Sequence, residues 1–169
     1  MSQNLKNKIE ATDISISSLL KDQKFYIDYF QREYRWQEKH IKLLIEDLTT
    51  TFLKSYKPTD KRAAVANYQS YYLGPVVFSA NTDNGKNSII DGQQRITSIT
   101  LFLIYLNNLQ KDQSEKVRIS DLIFSESYGE KSFNMTDEVR EPCLKSLFED
   151  DAYKIQENDD ETVKNMVER

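Results

Sequence analysis

Ser88-Ile89-Ile90-Asp91-Gly92-Gln93-Gln94-Arg95-Ile96-Thr97 decides the fold, because an apolar β-branched run turns through a single glycine straight into a helical pattern. Ile96, Ile99, Leu103 and Leu106 keep helical spacing, and Leu101, Phe102, Ile104 and Tyr105 make that helix apolar on most sides. It is expected to be the central, buried helix. Upstream, Tyr72-Leu73-Gly74-Pro75-Val76-Val77-Phe78-Ser79 is a second β-branched and aromatic run. Asn81 to Lys86, with Asn84-Gly85 at its turn, separates the two runs, so they are expected to pair as an antiparallel hairpin.

Working outward, Phe25, Ile27 and Tyr29 alternate with Tyr26, Asp28 and Phe30, strand-like spacing that delivers Gln31-Arg32-Glu33-Tyr34-Arg35-Trp36. Ile41, Leu44, Ile45, Leu48 and Phe52 form one stripe of an amphipathic helix from about Gln37 to Lys54. Ser55 to Ser70 is polar, contains Pro58 and lacks a period; it reads as a long loop, either a mobile lid or a plain connector. Residues 1–13 read as a frayed terminus, and Ser15 to Leu20 as a short capped helix. Beyond Lys111 the chain is more charged, with helical patterns at Val139 to Phe148 and Thr162 to Val167 around an acidic, loop-like Glu149 to Glu161. The order of elements predicts an α+β fold in which a small mixed or antiparallel sheet packs on helices. Residues 1–110 are expected to form the core and 111–169 a helical, truncated extension.

The 169 residues suffice for one core of ordinary size. With 23 Lys and Arg against 27 Asp and Glu, the formal charge of -4 argues against a surface that coats nucleic acid non-specifically, so any DNA contact must be local. Ile99 to Leu106 is the longest strongly apolar stretch, far short of a membrane span, and nothing near the start reads as a secretory leader; a soluble, cytoplasmic protein with no membrane partner is expected. A lone cysteine, Cys143, excludes an internal disulfide, and a lone histidine, His40, excludes a His-rich metal site. Cys143 reads as a buried filler and His40 as an ordinary first-turn residue.

The chemistry is concentrated at Asp91 to Arg95. A helix N-terminus presents unpaired N–H groups and positive potential, so a phosphate can sit there. Gly92 permits close backbone approach. Arg95 adds a forked cationic donor, and Gln93 and Gln94 add neutral donors suited to phosphate, sugar or base. Asp91 repels phosphate, so it either caps the helix or holds a magnesium ion bridging phosphates. The bland alternative is a capped helix start with a solvated arginine. A second cluster interleaves Gln31, Arg32 and Arg35 with Tyr34 and Trp36, suiting a stacked base and a held phosphate. Its bland alternative has Tyr34 and Trp36 as core or rim aromatics and Arg32 paired with Glu33 or Glu38.

Three stretches together resemble a known family. Ile27 to Trp36 looks like Ile-Pro-x-Tyr-Gln-Arg-x-Tyr-x-Trp, Tyr72 to Val77 is similar to a second block, and Asp91 to Arg95 carries an Asp-Gly-Gln-Gln-Arg signature. Over about Leu19 to Leu109 their order and spacing resemble the N-terminal domain of GmrSD-type modification-dependent restriction systems, a ParB-like domain of the ParB and sulfiredoxin superfamily. Asp28 stands where that family usually has proline, and Phe30 where it usually has tyrosine. The resemblance implies a nucleoside triphosphate site, hydrolysis of that nucleotide with magnesium, and coupling to cleavage of modified phage DNA. Such proteins usually carry a separate C-terminal His-Asn-His (HNH-type) nuclease domain, which this chain with its single histidine does not contain.

The expected catalytic set is Gln31, Arg32, Asp91, Gln93 and Arg95. The expected nucleotide contacts are Gly92, Gln93, Gln94, Arg95, Thr97, Arg32, Tyr34 and Trp36, with Asp91 on magnesium. Two other functions stand beside hydrolysis: a nucleotide-switched binding module that breaks no bond, and a DNA-reading or interaction domain whose Arg32, Arg35 and Arg95 meet DNA phosphates. A homodimer is open.

Overall fold

The computed structural model describes residues 10–21, 23–27, 33–81, 86–127, 130–136, 140–150 and 152–168. It is an α+β protein. A short helix, α1 (Ile16–Leu20), starts at Ser15, whose hydroxyl accepts from the Ser18 N–H at 3.1 Å. Strand β1 (Phe25–Tyr26) follows, then the long helix α2 (Glu38–Ser55). The hairpin of β2 (Val77–Asn81) and β3 (Lys86–Asp91) leads into α3 (Gln93–Leu109). After it come β4 (Phe124–Ser127), β5 (Glu130–Phe133), β6 (Met135–Thr136), α4 (Glu141–Glu149) and α5 (Glu161–Glu168).

The main sheet is mixed, in the order β2-β3-β1-β6. β2 and β3 are antiparallel, as the hairpin pattern predicts, while β1 is parallel to both β3 and β6. Parallel neighbours need long crossovers; α2 lies in the chain between β1 and β3, and α3 between β3 and β6. Residues 111–169, expected as a helical extension, thus also bring the β4–β5 hairpin and the strand β6 that edges the main sheet. Strands of two to four residues are too short for a readable period. The proposed turn at Asn84-Gly85 lies outside the described residues.

Two apolar clusters meet along α3. Leu20, Phe25, Leu44, Ile89, Ile96, Ile99 and Met135 form one; Tyr34, Ile104, Ile123, Phe133, Cys143, Leu144, Val163 and Met166 form the other. Trp36 and Leu103 pack against both. The N-terminal half of α3 is buried, including Thr97, Ser98 and Thr100, whereas Tyr105 and Leu109 near its end are exposed. The helix is therefore central at its start and a surface helix at its end.

On α2, Leu44 is buried, but Ile45 and Phe52 of the expected stripe are exposed. Phe52 finds its partners locally, stacking on Tyr56 with ring centroids 5.2 Å apart and meeting Tyr68 at 5.5 Å. Residues 55–70 are accordingly not a free loop: they contain a 3₁₀ helix (Arg62–Asn67), and the Asp60 carboxylate accepts from the Tyr68 hydroxyl at 2.7 Å and the Lys57 N–H at 3.1 Å. Among the described residues no helix is long and apolar enough to cross a membrane.

Candidate functional site

The start of α3 is shaped by an irregular end to the hairpin. Phe78 pairs with Ile89 but Val77 pairs with Asp91, so Ile90 is an extra residue on β3, a bulge that bends the strand just before the helix. Gly92 then adopts φ 95°, in the left-handed region, and is the N-cap of α3. A Cβ there would lie 3.0 Å from Val76 Cγ1 and 3.2 Å from Val76 Cα. Glycine is required both by the backbone angle and by the approach of Val76. Asp91 is still on the strand, one residue too early, and no side-chain hydrogen bond caps α3, so Asp91 is not the cap.

Arg95 lies against the second sequence block. Its guanidinium donates to the Pro75 carbonyl, and it passes beside Gly74, whose φ is 102°. A Cβ on Gly74 would meet Arg95 Cζ at 3.3 Å, so this glycine makes room for the cation.

Gln94 reaches the first block. Its Oε1 accepts from the N–H groups of Arg35 at 2.8 Å and Trp36 at 3.2 Å, and its Nε2 donates to the Glu33 carbonyl at 2.9 Å. One side chain thereby fixes three main-chain groups of residues 33–36. Tyr34, 1% exposed, joins its hydroxyl to Ser98 Oγ at 2.8 Å. On the other side, the Tyr34 N–H donates to Thr162 Oγ1 at 3.0 Å and its carbonyl accepts from Asn165 Nδ2 at 3.0 Å. All three blocks thus converge on the first turn of α3.

The remaining expected residues fall as follows. Gln31 and Arg32 lie outside the described residues. Gln93 is half-buried, and so is Trp36, whose ring is 6.0 Å from that of His40. Thr97 is 1% exposed, with its hydroxyl 3.7 Å from Met135 Sδ, in the core rather than at the helix mouth. Arg35 pairs with Glu33 at 3.1 Å, both well exposed. His40 Nδ1 accepts from the Gln37 N–H at 2.9 Å, which ties it to the start of α2. Cys143 is buried, and its thiol is pushed up to about 11, chiefly by burial and secondarily by Asp159. Gly74, Thr162 and Asn165 had no assigned role in the sequence, and the last two contact Tyr34 across more than 120 positions, a separation that leaves no local signal.

The first turn of α3 carries no acidic residue and, among the described residues, no capping side chain, while the exposed Asp91 stands just before it. Helix N–H groups and the Arg95 guanidinium bring positive charge to this turn. The GmrSD restriction endonuclease N-terminal domain model matches residues 16–169. The chain belongs to this family. It is therefore a GmrSD N-terminal domain, a module of restriction, that is, of defence against phage. No curated protein matches the chain. In this GmrSD N-terminal domain the match runs through α4 and α5 as well as the three blocks, consistent with α5 gripping residue 34.

Proposed function

We propose that the start of α3 binds the phosphates of a nucleoside triphosphate with magnesium, and that the domain hydrolyses the nucleotide slowly as a signal to a separate nuclease domain. The observation that carries this is the convergence of three separated sequence blocks on the first turn of one long helix, a turn that holds no acidic residue and, among the described residues, no side-chain cap. In this reading the N–H groups of Gly92 to Gln94 face the phosphates, Arg95 and Arg32 neutralise them, and Gln31 or Gln93 orients the attacking water. Trp36 offers a ring face to the base. The Gln94 side chain is engaged by main chain, so its contribution to the ligand is its N–H.

Among the described residues no group of three or more His, Cys, Asp or Glu forms a ready metal cage. Asp91, exposed at the end of β3, fits a magnesium ion that takes its other ligands from phosphate and water. When bound, the ion would supply charge neutralisation between phosphate oxygens. Electrostatic positioning carries the chemistry, because Cys143 is buried and His40 is tied to Gln37.

Calorimetric titration with each of the four ribonucleoside triphosphates plus magnesium tests the reading, with Arg95→Ala as control. Wild type should bind at least one, and Arg95→Ala should weaken binding roughly tenfold or more, the order expected for a charge-assisted phosphate contact. The melting temperature should fall by no more than about 4 °C, since only the bond to Pro75 is lost. Full affinity in Arg95→Ala would sink the assignment. Binding without phosphate release would leave a nucleotide-switched module in place of a hydrolase. No nucleotide binding, with salt-sensitive DNA binding instead, would favour the DNA-reading alternative.

A further inference from the structure

Residues 33–36 are held from two sides by elements far apart in sequence. Gln94, in the first turn of α3, bonds the main chain of Glu33, Arg35 and Trp36, while Thr162 and Asn165 of α5 bond the N–H and carbonyl of Tyr34 between them. A second route runs through side chains: Ser98 Oγ donates to the Gln94 carbonyl at 2.8 Å, so the Tyr34 hydroxyl is the donor in its 2.8 Å bond to Ser98. Thr162, Asn165 and Tyr34 are all buried. If α5 leaves, the Tyr34 N–H and carbonyl exchange these fixed partners for water, and the segment loses the anchor that holds it on this side.

The described residues between α4 and α5 are mostly exposed, so α5 is held through its docked face, where Val163 and Met166 share an apolar cluster with Cys143 and Leu144 of α4.

We propose that Thr162 and Asn165 are positioning residues for the start of α3, so that docking of α5 and occupancy of the nucleotide site strengthen each other. The nucleotide half of this statement rests on the function proposed above; the coupling half does not. Linkage makes the effect reciprocal: bound nucleotide protects α5, and anything that pulls α5 away weakens nucleotide binding.

Hydrogen exchange in Thr162→Val, which keeps the shape of threonine and removes the acceptor, separates coupling from a local role. Coupling predicts about tenfold faster exchange at the Arg35 and Trp36 amides, which bond Gln94 and not α5, within the range typical of coupled sites. Nucleotide affinity should fall by a similar factor, and Thr162→Ser should restore both. Faster exchange confined to Tyr34 and α5 would overturn the proposal. If wild type binds no nucleotide, the function proposed above fails, and the exchange at Arg35 and Trp36 still decides the coupling. Should Thr162→Val not fold, wild type in sub-denaturing urea gives the answer: α5 amides and those of Arg35 and Trp36 must open with one denaturant dependence, and separate openings refute it.

Discussion

At the start of α5 the Asp160 carboxylate accepts from the Val163 N–H at 2.8 Å, and Glu161 stands in the first turn. At the start of α3 there is a left-handed glycine, no acidic residue in the first turn and, among the described residues, no capping side chain. Both helices grip residues 33–36, yet α5 meets its positive end with its own carboxylates and α3 carries none in its first turn. That contrast is what the proposed phosphate site at α3 rests on. The two starts also differ in construction: α5 carries a side-chain cap and docks through Val163 and Met166, whereas α3 depends on a backbone bend that only glycine makes easily.

The sharpest way to break this comparison is Gly92→Ala. The left-handed angle and the 3.0 Å approach to Val76 should together cost about 2–4 kcal/mol, seen as a lower urea midpoint and a melting temperature down by roughly 5–15 °C. A change under about 0.5 kcal/mol would mean that the bend is relaxed and that the start of α3 is not specially built.

How much of this was legible depends on element length and on distance along the chain. The stretches that gave α2, α3 and the β2–β3 hairpin repeat often enough for a period to be read. β1 and β6 have two residues each, and their pairing joins Phe25 to Met135, so no window of sequence contains it. The glycine before α3 was readable as the mark of a tight turn, although the close approach it permits is taken by Val76. Gln94 looks the same in sequence whether its amide faces a ligand or the protein. The contacts to Glu33, Arg35 and Trp36 decide this, and they come from about 60 positions away. Tyr34 could be read equally as stacking platform or core, and its partners on α5 lie near the other end of the chain.

A second test strains the α5 side alone. Cys143 packs with Val163 and Met166 of α5, and burial followed by Asp159 pushes its thiol from 9.0 up to about 11. Below the unfolded value both states keep the proton. As pH rises from about 9 to about 11 the unfolded thiol ionises and the native one does not, so native stability falls, by roughly 2–3 kcal/mol at the upper end. Tyr68, Tyr71 and Tyr153 are also raised, first by burial and then by hydrogen bonds to carboxylates, and they add loss in the same direction. Cys143→Ala identifies the thiol's share: urea unfolding across this window should show a shallower pH slope in the variant. An unchanged slope would exclude the thiol as a contributor. Native Cys143 should also resist thiol reagents at neutral pH and react on unfolding.

The smallest expected effect concerns Arg35, which sharpens the comparison because its main chain belongs to the gripped segment while its side chain does not. The guanidinium meets Glu33 at 3.1 Å with the two side chains 73% and 49% exposed, a pair that solvent screens. Its N–H, by contrast, is bonded to Gln94 and survives substitution. Arg35→Ala should therefore change stability by less than about 0.5 kcal/mol and leave nucleotide affinity within about twofold. DNA-binding titrations at several salt concentrations give the counter-test. If Arg35 contacted DNA phosphates, the variant would lose affinity and its salt slope would flatten by about one unit. That outcome would move the functional surface from the start of α3 to the outer face of residues 33–36. Indifference to both ligands instead confines the role of this segment to its main chain, where Gln94, Thr162 and Asn165 meet it.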